Sequence, residues 1–335
     1  MVAIHIKTTE MHTGGEPVRI VEAGYPDIPG DSILAKRRHV RDNLDHLRRL
    51  LMHEPRGHAD MYGVIPVAPD LPGVDLAFLF MHNEGYSTMC GHAVIALGRY
   101  AVDTGLVAAH EPETAVVIQC PCGPVTAHVS VRDGKTGRVR FDSVPAFAFA
   151  RDKMVTTAEY GPLNVDIGYG GAFYAVVPAD QFGFNVRTSR TRDLVDAATA
   201  VSAAVSAQVP LHHPDDDDLA FLYGTILTDG DDAHSDAPTA NICVFADAQV
   251  DRSPTGSGVT ARIALQHRRG LIGLDQERTF ESVTGALFAG KAVAETTAGD
   301  FKAVTVEVGG TAHYTGTASF TLEDGDAIGA GFTLR

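Results

Sequence analysis

Long apolar segments are missing from the 335-residue sequence. The most apolar run, residues 76–81, has the length of a strand and falls far short of the ~20 residues that a membrane-spanning helix needs. The first residues, Met1-Val-Ala-Ile-His-Ile-Lys, contain no basic region followed by a long apolar core, so no signal peptide is predicted. We therefore expect a protein that does not have a membrane as its partner.

Positive charge is also scarce. The chain has 27 Lys and Arg residues against 42 Asp and Glu residues, which gives a formal net charge of −15 at pH 7. A field of this sign repels polyanions, so nucleic acids and anionic membrane surfaces are not expected as partners. The charge places no limit on a small substrate, because its site can have a local potential of its own.

Cysteine is rare, and the motifs of metal and phosphate sites are absent. Four cysteines without the spacing of a disulfide framework predict a reducing, cytoplasmic environment. Cys120-Pro-Cys122 lacks a second pair at zinc-ligand spacing, and His12 and His58 belong to no metal-binding motif, so no metal site is predicted. The segment Thr255-Gly-Ser-Gly is too short for a phosphate-binding loop and lacks the Gly-Lys that would follow in one.

The sequence does contain many short β-rich runs. At about 150 residues per domain, its length predicts two domains. Runs of alternating apolar residues, separated by Gly, Pro and Asp, predict a largely antiparallel sheet. The predicted strands include residues 64–67, 76–80, 116–119, 125–129, 174–177, 226–228, 242–245 and 304–308. Helices are predicted at residues 32–51 and 189–209.

An internal repeat connects two further helices. Residues 90–107 and 255–272 align at a constant offset of 165 positions, each with a Gly-containing turn, an Ala-rich helix of about a dozen residues and a terminal Gly. Upstream, Gly14-Gly15 is echoed by Gly170-Gly171. The repeat predicts two similar α/β halves, and the natural ligand site of such a fold is the cleft between them.

The residues at the two helix starts indicate the chemistry. Cys90 directly precedes a helix, where the helix dipole and the outward-pointing backbone N–H groups favour a thiolate that can act as a base near neutral pH. Gly91 and Gly256 lack a Cβ atom, which lets a ligand approach the backbone closely. The N–H groups of two helix starts would together bind a carboxylate, so the expected ligand is a small carboxylate-bearing molecule.

These motifs resemble those of the proline racemase family, which also includes hydroxyproline 2-epimerases and trans-3-hydroxy-L-proline dehydratases. The matching motifs span residues 11 to about 290 and occur in the family's order. They are His12-Thr-Gly-Gly-Glu-Pro, Glu54-Pro-Arg-Gly-His, Met89-Cys-Gly-His, Tyr169-Gly-Gly-Ala-Phe-Tyr and Asp251-Arg-Ser-Pro-Thr-Gly-Ser-Gly.

The resemblance implies an α+β fold of the diaminopimelate epimerase type. This fold has two pseudo-symmetric halves, each with a central helix wrapped by mostly antiparallel strands. We expect the first half to comprise residues 1–160 with a returning C-terminal strand at about 327–335, and the second half to comprise residues 161–326.

The resemblance further implies cofactor-independent chemistry on a small imino acid by a homodimer. By similarity, Gly91, His92, Gly256 and Ser257 hold the substrate's carboxylate and amine region, and Asp251 pairs with the ring ammonium.

The sequence departs from the racemase pattern at Thr255, where racemases and epimerases carry a second Cys. Inversion needs an acid and a base on opposite faces of Cα, and a Thr hydroxyl titrates too high to serve as a thiol does. The Cys90 and Thr255 pair therefore resembles that of trans-3-hydroxy-L-proline dehydratases. In such a reaction Cys90 would remove the Cα proton, Cys90 or His92 would protonate the leaving hydroxyl, and Thr255 would shape the opposite wall or cap its helix.

Two alternatives remain open from the sequence. One is a proline racemase or hydroxyproline 2-epimerase that tolerates Thr255, and the other is a non-catalytic imino-acid binding protein. Optical inversion of L-proline separates the first from a dehydratase, and binding without turnover identifies the second.

Overall fold

The computed structural model describes residues 4–334 and contains many more strands than helices within that range. The strands are β1 (Ile4–Thr13), β2 (Glu16–Ala23), β3 (Tyr62–Val67), β4 (Leu76–His82), β5 (Tyr86–Ser87), β6 (Glu113–Cys120), β7 (Gly123–Arg132), β8 (Lys135–Asp142), β9 (Ala146–Thr157), β10 (Gly161–Tyr169), β11 (Phe173–Pro178), β12 (Leu222–Thr228), β13 (Thr239–Phe245), β14 (Gln249–Asp251), β15 (Arg278–Glu281), β16 (Leu287–Ala298), β17 (Phe301–Gly310) and β18 (Ala312–Leu322). The helices are α1 (Ile33–Asn43), α2 (Asp45–Met52), α3 (Gly91–Asp103), α4 (Thr191–Gln208) and α5 (Gly256–Arg268). Within residues 4–334, no helix is long and apolar enough to cross a membrane.

The chain divides into two compact units at positions that differ from those expected. Unit 1 contains the described residues up to 139 and from 311 onward, and unit 2 is Arg140–Gly310, so the boundary falls within β8 and not at residue 160. The reason is strand pairing: β9 pairs antiparallel with β10 from Thr157 opposite Gly161 to Phe147 opposite Tyr169, which places β9 in unit 2.

The returning C-terminal strand also lies earlier than expected. It is β18, which pairs antiparallel with β1 from Ile4 opposite Leu322 to Thr13 opposite Ala312. Residues 327–334 form no strand, and their one bridge joins Phe332 to Glu54, because a turn-rich stretch follows β18. The last residue of the expected strand, Arg335, lies outside the described residues.

The two units repeat one order of strand pairing. In unit 1, β1–β2, β3–β4, β4–β5 and β6–β7 are antiparallel, and β2–β3 and β4–β6 are parallel. In unit 2, β10–β11, β12–β13, β13–β14 and β15–β16 are antiparallel, and β11–β12 and β13–β15 are parallel. Because parallel neighbours need a crossover connection, each unit has helices at the same two places in its chain order. The repeat detected in the sequence therefore extends to the topology of each unit.

A buried helix lies at the centre of each unit. α3 is buried from Gly91 to Gly98 and contacts β1, β2, β6, β7 and β18, whereas α5 is buried from Gly256 to Gln266 and contacts β9, β10, β11, β16 and β17. A helix buried on all sides belongs in the interior of a domain. Each is followed by a Gly in the left-handed region, Gly105 and Gly270, both with φ 73°, as the sequence predicted.

The remaining helices match their predictions with one exception. α4 lies within the predicted residues 189–209, and Ser32 caps the start of α1 by accepting a hydrogen bond from the Ala35 N–H at 3.1 Å. The predicted helix at 32–51 is broken at Leu44, whose backbone leaves helical geometry with φ −122° and ψ 12°. No Gly or Pro marks this break, so the sequence pattern did not reveal it.

The approach of α5 to the end of β10 depends on Gly170. A Cβ atom at this position would lie inside the contact distance of the Ser257 carbonyl oxygen and 2.7 Å from the Ala261 backbone nitrogen. Both obstacles are helix backbone atoms that cannot rotate away. Gly170 therefore allows the first turn of α5 to pack directly against the chain.

We predict that Gly170→Ala destabilises the protein by about 1–3 kcal/mol, the usual cost of overpacking a core. Urea unfolding of the variant measures this as a lower transition midpoint. The matched control is Gly85→Ala, because an added Cβ there meets no atom within 4 Å. Equal unfolding midpoints for the two variants would contradict the close approach described here.

Candidate active site

Cys90 is the residue that precedes α3 and caps its amino end. Its backbone is extended, with φ −148° and ψ 105°, its carbonyl accepts the Val94 N–H at 2.9 Å, and its side chain makes no capping hydrogen bond. Only 5% of the residue is exposed. The thiol therefore lies beside the outward-pointing N–H groups of the first helical turn, where the helix dipole favours negative charge.

His92 is in direct contact with that thiol. The Cys90 Sγ is 3.0 Å from the His92 Nδ1, and the His92 Nε2 lies 3.3 Å from the Pro17 carbonyl oxygen. Because a carbonyl oxygen only accepts hydrogen bonds, this arrangement assigns the ring proton to Nε2 and leaves Nδ1 facing the sulfur. A thiol and an imidazole at this distance can share a proton, as in other sites that use an activated cysteine.

Neighbouring groups hold the His92 backbone and pack against its ring. The Thr13 hydroxyl donates to the His92 carbonyl oxygen at 2.9 Å. The Tyr62 ring meets the imidazole edge to face at a centroid distance of 4.9 Å. Cys90, Gly91 and His92 are therefore brought together in unit 1 in a buried and packed setting.

The other cysteines have different surroundings. All four cysteines are free thiols, and Cys120 and Cys243 are completely buried. Burial, together with the neighbouring Cys122 and Cys90, raises the pKa of Cys120 well above its usual value. Cys120 therefore stays a neutral thiol at neutral pH and is unsuited to act as a base.

Thr255 precedes α5 as Cys90 precedes α3, but its conformation is unusual. Its φ of 67° lies in the left-handed region, which is costly for a β-branched residue, and its side chain makes no capping hydrogen bond. The residue is 4% exposed, and within the described part of the chain its hydroxyl oxygen has no hydrogen-bond partner. Helix capping, one of the roles expected for this side chain, is therefore not what its hydroxyl does here.

Asp251, Gly256 and Ser257 lie close to Thr255 in the sequence, and all are buried. Asp251 ends β14, and its Oδ1 accepts the Ser253 N–H at 2.7 Å. A buried carboxylate is stable only with hydrogen bonds or a positive partner, which agrees with an expected role opposite an ammonium group. Unit 2 therefore brings together the second set of predicted site residues.

Tyr174 is a neighbour of this set that sequence reasoning did not select. Its hydroxyl lies 2.7 Å from the Ser257 Oγ, and the residue is completely buried in β11. Burial raises the pKa of Tyr174 well above its usual value, so the phenol stays protonated and can donate to Ser257. The only sequence signal was its position at the end of the motif Tyr169-Gly-Gly-Ala-Phe-Tyr, which also fits an ordinary core strand.

The residues considered as metal ligands lie in other environments. Among residues 4–334, no group of three or more His, Cys, Asp or Glu side chains is arranged to hold a metal ion. The His12 ring stacks on His313 at a centroid distance of 5.4 Å, and its Nδ1 accepts the Gly15 N–H. Burial and His313 lower the pKa of His12. His58 turns its Nδ1 towards the Ala59 carbonyl oxygen at 2.7 Å.

Comparison with known proteins shows the family of the chain. The profile of the family described as "Proline racemase" matches residues 8–333. The chain is 63% identical over 332 residues to the trans-L-3-hydroxyproline dehydratase of Xenopus tropicalis and 61% identical over 335 residues to the trans-3-hydroxy-L-proline dehydratase of Homo sapiens. Each alignment covers 98% of this chain and 95% of the relative.

A solved structure confirms the predicted fold class. The hydroxyproline epimerase from Agrobacterium vitis, with trans-4-hydroxy-L-proline bound, superposes with a TM-score of 0.94 at 26% identity. The superposition covers 100% of this chain and 96% of the epimerase.

Proposed function

The chain belongs to the proline racemase family, and we propose that it dehydrates trans-3-hydroxy-L-proline to Δ1-pyrroline-2-carboxylate without a cofactor. The observation that carries the proposal is Thr255, which heads α5 at the position where racemases and epimerases of the family carry a second Cys. The dehydratases that are 61–63% identical to this chain support the same reaction. We further propose that the enzyme is a homodimer, as the family resemblance implies, and that it is cytoplasmic, as its few free cysteines indicate.

The proposed reaction begins at Cys90. The thiolate takes the Cα proton, and the electron pair of the broken C–H bond forms the double bond between Cα and C3 as the 3-hydroxyl leaves as water. In the trans isomer the Cα hydrogen and the 3-hydroxyl lie on the same face of the ring, so one group can remove the first and protonate the second. The enamine product then tautomerises to the imine.

We assign protonation of the leaving 3-hydroxyl to Cys90, and His92 stabilises the Cys90 thiolate. The His92 ring turns one nitrogen towards the Cys90 sulfur and the other towards the Pro17 carbonyl oxygen, which suits an imidazole that stabilises the thiolate. A positive imidazolium beside sulfur lowers the pKa of a cysteine, as does a helix start. Thiol and thiolate would then both be accessible at working pH, which general base catalysis requires.

The substrate's charges require partners of opposite sign. We propose that the N–H groups at the starts of α3 and α5, at Gly91 and Gly256, bind the carboxylate, because helix amino ends attract anions. They would also stabilise the charge that develops when the Cα proton leaves. Asp251 is the proposed partner of the ring ammonium. We propose that Ser257, whose Oγ lies beside the Tyr174 hydroxyl, contacts the carboxylate and amine region of the substrate.

The proposal is tested with a panel of L-proline, trans-4-hydroxy-L-proline and trans-3-hydroxy-L-proline, monitored for pyrroline carboxylate and for optical rotation in D₂O. We expect pyrroline carboxylate from trans-3-hydroxy-L-proline only, and no inversion of L-proline. Brisk inversion of L-proline or of the 4-hydroxy isomer would replace the proposal with a racemase or epimerase. Calorimetric binding of all three without turnover would indicate a binding protein.

We predict that Cys90→Ser lowers the dehydration rate by about 10²-fold or more, because a serine hydroxyl is almost never ionised near neutral pH. Binding of the product analogue pyrrole-2-carboxylate should largely survive, since the backbone N–H groups remain. Cys122→Ser is the matched control, because Cys122 is also a free thiol but lies outside the proposed machinery. Near-normal turnover by Cys90→Ser would exclude Cys90 as the base.

We predict that Thr255→Cys gains measurable racemase activity on L-proline while it keeps part of its dehydratase activity. The new thiol would head α5, where the helix dipole lowers its pKa, and L-proline has no 3-hydroxyl to lose. The gain is expected to be modest, since a placement error of ~1 Å can cost ~10²-fold in rate. The measurement combines deuterium incorporation at Cα with optical inversion, and label without inversion would contradict the prediction.

A further inference from the structure

The peptide bond between Pro254 and Thr255 is held by side chains at both of its ends. The Thr255 N–H donates to the Ser253 Oγ at 3.0 Å, and the Pro254 carbonyl oxygen accepts the Asn241 Nδ2 at 3.3 Å. Ser253 is itself anchored, because its N–H donates to the Asp251 carboxylate at 2.7 Å. The two hydrogen bonds restrain rotation of the peptide plane and support the left-handed φ of Thr255 against its cost.

The orientation of the Asn241 amide follows from a second contact. The Arg262 Nη1 donates to the Asn241 Oδ1 at 3.1 Å. A guanidinium group only donates hydrogen bonds, so the amide oxygen must face Arg262 and the amide nitrogen must face the Pro254 carbonyl. Asn241 and Arg262 are each 1% exposed, so solvent cannot replace either contact.

Arg262 is held by two further partners. Its Nη2 donates to the Thr239 Oγ1 at 2.9 Å and to the Asp232 Oδ1 at 3.0 Å. Arg262 belongs to α5, the same helix that Thr255 precedes. The hydrogen bonds therefore join α5, β13 and the turn before α5 into one polar network.

The Thr255 side chain is confined by its neighbour Gly258. A Cβ atom at Gly258 would lie 2.6 Å from the Ile226 Cδ1 and 3.0 Å from the Thr255 Cγ2, so the Thr255 methyl group packs closely against this glycine. The hydroxyl oxygen is buried, and no described residue gives it a hydrogen bond. A buried hydroxyl without a partner is unfavourable, and a polar ligand at the helix start would remove that cost.

We propose that Asn241 is a positioning residue for Thr255: its amide holds the Pro254 carbonyl so that the Thr255 hydroxyl is kept from capping its helix and is presented to the substrate. The inference rests on the proposed dehydratase function. Asn241 lies on β13, whereas the residue that it positions precedes α5. The inference therefore assigns a role in the proposed reaction to a residue outside the helix start.

The test variant is Asn241→Asp. It keeps the size of the side chain and the oxygen that accepts from Arg262, but it replaces the donor to Pro254 with a second oxygen that repels the carbonyl. We expect kcat to fall by about tenfold or more, since small displacements of reacting groups are costly, while KM changes little. Loss of the buried hydrogen bond should also lower Tm. Asn241→Ser, which keeps a hydroxyl donor, should recover part of the rate.

Asp232→Asn is the matched control, because it makes the reverse exchange at a different partner of Arg262. Burial alone would raise the pKa of Asp232, but the Arg262 guanidinium and the Gln266 amide hold it below its usual value, so the group is charged at neutral pH. Loss of that charge should lower Tm and leave kcat nearly unchanged. If kcat falls in proportion to Tm in both variants, Asn241 acts only on stability and the inference is wrong.

A double-mutant cycle with Thr255→Ala completes the test. If Asn241 acts through the Thr255 hydroxyl, Asn241→Asp should reduce kcat by less than about twofold once that hydroxyl is gone. Equal losses in both backgrounds, or full turnover by Thr255→Ala alone, would overturn the inference. A wild-type enzyme that does not dehydrate trans-3-hydroxy-L-proline would overturn the proposed function. A wild-type enzyme that does so, with variants that behave otherwise than expected, would overturn only the inference.

Discussion

A helix that is buried on every side leaves the unpaired backbone N–H groups of its first turn at a buried end, and this constraint shapes both units. α3 and α5 are enclosed by strands along most of their length, so their outward-pointing N–H groups are concentrated at one buried end. The residue at that end lies in the positive field of the helix start, which favours an anion. Cys90 in one unit and Thr255 in the other occupy these positions, and the proposed chemistry depends on both.

The two helix starts reach this arrangement by different local means. Cys90 has an ordinary extended backbone, and its side chain is oriented by contact with the His92 imidazole. Thr255 has a left-handed backbone that is maintained from outside by Ser253 and Asn241. The two helix starts are therefore not equivalent, since one has a thiol beside an imidazole and the other has a strained threonine next to a hydrogen-bonded network. This difference fits a reaction that needs a base on one face only. The duplicated topology therefore carries two helix starts with different surroundings.

The predicted site residues share one property, which is their closeness in sequence to a helix start. Gly91 and His92 follow Cys90 directly, Gly256 and Ser257 follow Thr255, and such short-range patterns are visible in a linear sequence. Tyr174, Asn241 and Arg262 are remote in sequence from the residues that they contact. Each of them occurs in a segment that also fits an ordinary strand or helix, so no local pattern distinguished its polar contact from simple core packing.

The sequence by itself determined the strand-rich class, the internal repeat, the two central helices with their terminal glycines, and the identity of the residues at the helix starts. These features depend on alternation, spacing and capping, which act over a few residues. Only the tertiary structure decided that β9 belongs with β10, that β18 returns to β1, that Leu44 interrupts a helix, and that the Thr255 hydroxyl does not cap α5. The physical reason is that strand partners and the contacts of buried polar groups are chosen among residues far apart in the chain, where the free energy of packing and hydrogen bonding outweighs local preference.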